Sequence, residues 1–413
     1  MKIYVKTFGC RVNQAEGESL KAALLAGGSS ESAGFEDADV CVVNTCTVTA
    51  EADREALALL RRVARRNPAA RLVVTGCLAT RDPGLVRSAA PSAVLVGNDA
   101  KAEIPAMFGC SPAPAEAALP SVSGRSRAFL KIQDGCNMSC AYCTIPSIRP
   151  ALSAAPLPEL LERVRALAAA GVPEIVLCGI RLGRYLWRAP GEARVDLGGL
   201  VTRMIDIPGD FRVRLSSLEV TDASDSLLSL MTSSKGRLCP SLHLPLQSGS
   251  NSVLKRMNRW YSREFYRRRV DAYRAAVPRG ALFSDIITGF PGETEAEHED
   301  SLDFAKSLEF DGLHIFRYSP RPGTAAAAEK APDPRVVRVR SEQWHALDVL
   351  RRASHASRSV GHVRTVAPEL SGRDGLTEDF LTVSLDRPLF RGLRRVLVVA
   401  ADGPRGRARV EPL

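Results

Sequence analysis

Three of the ten cysteines stand close together in DGCNMSCAYCTIP (134–146), where Cys136, Cys140 and Cys143 form a C-x3-C-x2-C spacing. Three neighbouring thiolates can hold three irons of a cubane iron–sulfur cluster and leave the fourth iron open to an exchangeable ligand. A zinc site would want a fourth protein ligand nearby, and no His or Cys follows within the next 30 residues. Three more cysteines are far apart in sequence but alike in setting. Cys10, Cys46 and Cys77 each follow an apolar, strand-like run: MKIYVKTF, DVCVVNT (39–45) and RLVVTG (71–76). In a parallel α/β sheet such loops share one edge, so three distant thiols converge at the carboxyl ends of the strands. A second three-cysteine cluster with an open iron is the expectation. Cys41, Cys178 and Cys239 lie inside apolar runs and Cys110 in a linker; all four read as ordinary buried thiols.

The elements that position these cysteines follow from periodicity. Strand-like runs alternate with helical segments at 16–27 and 51–66, which predicts a parallel-sheet α/β domain over 1–109. A Pro-, Ala- and Ser-rich stretch, 110–127, reads as a linker. Six further strand-like runs follow, at 129–133, 174–179, 212–217, 241–246, 282–289 and 312–318. A helix separates most of them, the clearest presenting Leu157, Leu160, Leu161, Val164 and Leu167 on one face. Six βα units over 128–358 predict an open, partial (β/α)6 barrel with its chemistry at the carboxyl ends of the strands. Beyond a polar, Arg-rich helix at 335–358, the segment 359–413 breaks into short strands split by Gly and Asp turns, the pattern of a small β-barrel. The fold class is therefore α/β with a C-terminal β-barrel.

The bulk numbers narrow the setting. The chain has 413 residues, 45% hydrophobic and 25% charged, the balance of a globular protein in several domains. No apolar run approaches the roughly 20 residues that span a bilayer, and the N-terminus enters a strand without a secretory leader. A cytoplasmic location and no membrane partner are expected. Ten cysteines in such a chain argue for metal or redox chemistry over disulfides. The net charge of +10 suits a polyanion such as nucleic acid.

C-x3-C-x-aromatic-C, with Tyr142 before the third cysteine, at the end of a first barrel strand resembles the radical S-adenosylmethionine (SAM) superfamily. TFGCRVNQ (7–14), VVNTCTVTAEADR (42–54) and VVTGCLA (73–79) narrow the likeness to its methylthiotransferase branch. RLSSLE (214–219), LHLPLQSGS (242–250), DIITGFPGET (285–294) and YSPRPGT (318–324) extend it in order along the chain. The C-terminal barrel is similar to a TRAM domain, a small RNA-binding module.

The resemblance implies two 4Fe-4S clusters and SAM as cofactors, and insertion of a methylthio group into a C–H bond. One SAM would methylate a sulfur on the cluster of Cys10, Cys46 and Cys77. A second, on the cluster of Cys136, Cys140 and Cys143, would yield the hydrogen-abstracting radical. By analogy Tyr142, Gly179, Ser217, Glu219 and Gln247 line the SAM pocket. TFGCRVNQ and GLTEDFLTV (375–383) are most similar to the branch acting on threonylcarbamoyladenosine beside the anticodon. The tRNA anticodon loop is then the substrate partner, with flavodoxin or ferredoxin as electron donor. The threonylcarbamoyl carboxylate calls for guanidinium partners, for which Arg149, Arg317 and Arg321 stand at or just past strand ends. The run Arg267–Arg269 reads as an RNA clamp or as a solvated helix face. Rival readings are isopentenyladenosine or a ribosomal-protein aspartate as substrate, and a non-catalytic iron–sulfur RNA-binding scaffold. Two departures from the family pattern stand out. The usual arginine-rich stretch after the triad is IPSIRPALSAAP, which retains only Arg149, and Arg317 replaces a customary proline.

Overall fold

The structure, a computed structural model, describes residues 1–110, 126–389, 392–403 and 406–413. The stretch read as a linker falls outside the described residues from 111 to 125. Among the described residues no helix is long and apolar enough to cross a membrane.

The first domain is a five-stranded parallel sheet in the order Ser30–Glu31, Lys2–Thr7, Val40–Thr45, Arg71–Gly76, Val94–Leu95. The three long strands are those the apolar runs predict. The two edge strands have two residues each, too short to carry a period. Val40–Thr45 is buried along its whole length, as a central parallel strand covered on both faces must be. The first helix runs Arg11–Ala26, five residues earlier than periodicity predicts. Its N-cap is Cys10, whose side chain makes no capping bond, so no Ser, Thr, Asp or Asn announces the start.

The second domain is the open barrel. Arg127–Asp134, Glu174–Gly179 and Arg212–Leu215 form one parallel set, Ser241–His243, Ala281–Thr288 and Gly312–Arg317 another. Isolated parallel bridges, Ser217 to His243 among them, join the two sets into one curved sheet. Outer helices bury their apolar stripes against its convex side, Leu157, Leu160, Val164 and Leu167 in the first of them. The concave side is occupied by the first domain. Val12 and Ala15 of helix Arg11–Ala26 pack on Phe129, Val176 and Cys178, which alternate with the residues facing the outer helices.

The third domain is a closed five-stranded barrel: Val363–Pro368, Asp374–Thr377, Thr382–Leu385, Arg394–Asp402 and Arg407–Pro412. One of its turns plugs the amino-end mouth of the larger barrel. Arg212 and Arg214, both 1% exposed, share Glu174. Their remaining N–H groups donate to the carbonyls of Thr365, Leu376, Thr377 and Glu378 at 2.7–3.1 Å. Phe380, held at φ +67°, rests on Phe283 with ring centroids 5.2 Å apart, and the Arg11 guanidinium lies 5.8 Å from its ring.

Candidate active site between two cysteine triads

Cys136, Cys140 and Cys143 occupy the loop that leaves the first barrel strand. Gly135 turns the chain there at φ +80°, and a Cβ in its place would overlap the Ala151 carbonyl. The Cys136 amide donates to Arg149 O (3.0 Å) and the Ala141 amide to Met257 O (3.0 Å), which pins the loop at both ends. The Cys136 sulfur accepts from the Met138 amide at 3.4 Å. Arg259, whose side chain is 2% exposed, donates to Cys140 Sγ at 3.3 Å and to the Tyr142 hydroxyl at 3.4 Å, and is ion-paired with Glu219. Sequence reasoning missed Arg259: it follows a short helix 119 residues after Cys140 and belongs to no recognisable spacing. Burial pushes the Cys143 thiol up to about 12.

Cys10, Cys46 and Cys77 follow the three long strands of the first sheet, Cys77 opening a short helix, Cys77–Arg81. Gly9 and Gly76 make these approaches possible. A Cβ on Gly9 would overlap the Cys46 sulfur, one on Gly76 the Thr45 carbonyl, and both residues have φ near +90°. Asn13 ties the loops together by donating to Thr45 O (2.8 Å) and Phe8 O (3.1 Å). The Cys46 thiol is pushed up to about 11 by burial, and the neighbouring Cys10 and Cys77 thiols add to the shift. Among the described residues, only His243, Asp285 and His314 bring three metal-capable atoms all within 4.8 Å of one another. Three thiols in each triad are the donor set of a cubane cluster, where each thiolate takes a different iron.

Beside Cys143 lies a cavity of about 200 Å³. Tyr142, Cys143 and Gln247 line it from the barrel, Val48 and Thr49 from the first domain, and Arg317 and Arg321 from the end of the last strand. Gln247 sits at φ +65°, and its backbone pairs with Asp285 and Ile287 (2.8 and 2.9 Å), which holds the turn against the cavity. Gly179 ends its strand. Ser217 is exposed at the next strand end, and Glu219 is engaged by Arg259. Arg321 is 4% exposed and bonds Asp53 Oδ2 at 2.5 Å. Arg317 is exposed, with a long contact of 3.5 Å to Ser341.

Arg149 is placed otherwise than expected. Its two Nη atoms bind Glu16, Asp134, Asn13 and Asn98 at 2.7–3.2 Å, and its side chain is 3% exposed. Lys101 and Lys131 complete this cluster on Glu16. Both ends of the guanidinium are engaged, so Arg149 braces helix Arg11–Ala26 against the barrel and has no free fork for a substrate carboxylate. The run Arg267–Arg269 is likewise engaged: Arg267 bonds Ser307 O, Arg269 pairs with Asp225, and Arg268 lies over Phe265.

Residues 2–97 match the uncharacterized protein family UPF0004 and residues 130–305 the radical SAM superfamily. A threonylcarbamoyladenosine tRNA methylthiotransferase of Chlamydia pneumoniae is 40% identical over 320 residues, covering 77% of this chain and 75% of the relative. Its namesake in Bacillus subtilis (strain 168) is 34% identical, covering 91% and 88%. A tRNA-2-methylthio-N(6)-dimethylallyladenosine synthase of Erythrobacter litoralis is 33% identical, covering 89% and 86%. In fold, the chain is similar to the radical SAM methyltransferase TsrM of Kitasatospora setae, with a TM-score of 0.57 at 14% identity over 79% of this chain and 77% of that one.

Proposed function

Because this chain belongs to the radical SAM methylthiotransferases, we propose that it converts N(6)-threonylcarbamoyladenosine at position 37 of tRNA to its 2-methylthio derivative. The observation that carries this reading is the cavity with Cys143 in its wall and Val48, two residues past Cys46, and Arg321 in its lining. A substrate there would touch Cys143 and Val48. The family uses SAM and 4Fe-4S clusters; Cys136, Cys140 and Cys143 would hold one and Cys10, Cys46 and Cys77 the other. When bound, these groups supply the hydrogen-abstracting radical and the methylthio group.

The chain's own residues do the rest. The Arg259 guanidinium places a positive charge on the Cys140 thiolate, and Glu219 fixes that guanidinium. Tyr142, Gly179, Ser217, Glu219 and Gln247 are the SAM contacts of this reading, and Arg317 and Arg321 the substrate contacts. Val48, Tyr142 and Ile287 give the cavity an apolar part of its lining. The division is 1–109 for the sulfur-bearing domain, 128–358 for radical generation, and 359–413 for RNA contact. The tRNA anticodon loop is the partner, and flavodoxin or ferredoxin the electron source.

The test is nucleoside mass spectrometry after anaerobic incubation with SAM, reductant and a mixture of tRNA bearing threonylcarbamoyladenosine and tRNA bearing isopentenyladenosine. The expected result is methylthio transfer to the former, with 5′-deoxyadenosine formed. Preferential modification of the isopentenyl substrate overturns the substrate assignment. Replacing Cys10, Cys46 and Cys77 together with Ala should remove half the iron and abolish transfer while SAM cleavage continues.

A further inference from the structure

The concave side of the second set of barrel strands carries three polar side chains that no step described above uses. Leu242, Ile286 and Leu313 pack towards the outer helices, so their neighbours in alternation, His243, Asp285 and His314, face inwards. The three stand on adjacent parallel strands, Ser241–His243, Ala281–Thr288 and Gly312–Arg317, with Asp285 directly opposite His314. His243 Nε2 and His314 Nδ1 contact the same carboxylate oxygen, Asp285 Oδ1, at 2.8 and 3.2 Å. Imidazoles serving only as hydrogen-bond donors could take one oxygen each; here all three side chains point at one spot. One donor atom from each residue lies within 4.8 Å of the other two. Ligand atoms about 2.0–2.1 Å from one ion stand roughly 3–3.5 Å apart, so a small side-chain adjustment closes this set on an ion. Among the described residues the ion pairs of Asp285 are with these two histidines. Two arginines share a small space with His243 on the plug side, but Arg214 is held by Glu174 and Arg11 lies over Phe380.

We propose that His243, Asp285 and His314 form a mononuclear centre for a divalent first-row metal ion such as zinc, separate from both cysteine triads. Two imidazoles and one carboxylate are an established donor set for such ions and leave further positions open. Neutral imidazole is the ligand, so each ring carries its proton on the far nitrogen and turns a lone pair towards the ion. The His314 side chain is 42% exposed and gives the ion a way in from solvent. The centre sits at the base of the cavity beside Cys143. Asp285 itself lines that cavity, as do Ile287 and Phe316, the next inward-facing residues on the strands of Asp285 and His314. Open positions on the ion take water or an oxygen atom of whatever fills the cavity. The ion also ties three strands together beneath the turn at Gln247, whose backbone is bonded to Asp285 and Ile287.

The test uses the full chain with its clusters loaded, dialysed anaerobically against zinc and then against metal-free buffer. Zinc binds nitrogen and oxygen donors more tightly than ferrous iron does, which makes it the probe. Elemental analysis should find about one zinc per chain beside the iron. X-ray absorption at the zinc edge should show a nitrogen and oxygen shell at about 2.0–2.1 Å and no sulfur at about 2.3 Å. His314→Gln and Asp285→Asn should each weaken zinc binding about tenfold or more, since even the outer partners of a ligand weigh that much. Iron content equal to that of the wild type reports that each variant is assembled. A wild type that keeps no zinc, a sulfur shell around the zinc, or zinc affinity unchanged in both variants overturns the proposal. None of these readouts depends on which adenosine the enzyme modifies, so the substrate reading stands or falls apart from them.

Discussion

Replacing Glu16 with Gln keeps the shape of a side chain and removes one charge from the seam between the first domain and the barrel. Glu16 accepts from Arg149 at 2.8 and 2.9 Å and from Lys131 at 2.5 Å, and it pairs with Lys101. The cluster holds three cations, Lys101, Lys131 and Arg149, against two anions, Glu16 and Asp134. Glu16, Lys101 and Arg149 have side chains no more than 9% exposed. Burial pushes the Glu16 carboxyl up, but Arg149 and the two lysines overcome it and hold the group well below the usual carboxylate range. The variant leaves three cations facing Asp134 alone. Breaking a buried pair by removing one partner costs about 3–5 kcal/mol, a factor of roughly 10² to 10⁴ in the docking equilibrium at 1.4 kcal/mol per tenfold. Urea titration of the cluster-loaded protein, followed by hydrogen exchange in helix Arg11–Ala26, reads this directly. The helix should lose protection well before the outer barrel helices do. Unchanged protection, or a stability loss below about 1 kcal/mol, would refute the claim that this cluster holds the domains together.

Gly9→Ala places a Cβ on the Cys46 sulfur at a backbone angle that disfavours it; iron analysis should show about half the iron lost, with 5′-deoxyadenosine formation retained. Arg259→Gln removes a cation 3.3 Å from Cys140 Sγ; a redox titration followed by electron paramagnetic resonance should find the potential of that cluster lowered, since charge near its sulfurs tunes it. Hydrogen bonding from Arg256, then from Ser252, holds the Glu297 carboxyl down to about 2 from an ordinary 4.5. A depressed carboxyl adds stability in full above its unfolded value and loses it as pH falls towards the folded one. The wild type should therefore weaken between pH 4.5 and 2 more steeply than Glu297→Gln, as thermal melts across that window would show.

Both cysteine triads are legible in the sequence because their thiols follow apolar, strand-like runs, and the structure does place them just past strand ends. The outer helices are legible because burial against a sheet imposes a period, as Leu157 to Leu167 display. Three kinds of feature escape. Arg149 reads as a substrate contact until its partner Glu16, 133 residues away, is brought beside it. Arg259 is found only through the fold, since it meets Cys140 by way of a different barrel strand. The plug at the amino-end mouth is held chiefly by backbone carbonyls, which every residue owns. Arg212 and Arg214 carry a sequence signal of sorts, as two arginines at alternate positions of a buried strand must find partners, yet nothing nearby in sequence says that the partners belong to the last domain.

That plug also sets an order of events during synthesis. The first domain emerges first and provides helix Arg11–Ala26, the surface on which the concave face of the half-barrel assembles. Its barrel strands then follow in turn, but the mouth beneath Arg212 and Arg214 stays open until Leu376 to Phe380 arrive. Phe380 then settles against Phe283 and Arg11, so this later domain closes on the first residue of helix Arg11–Ala26. Contacts between the chain's beginning and its end are the slowest to form. Sealing of the barrel is therefore a late step, and a nascent chain stalled before residue 376 carries all six cysteines of the two triads in a barrel still open to water at its base.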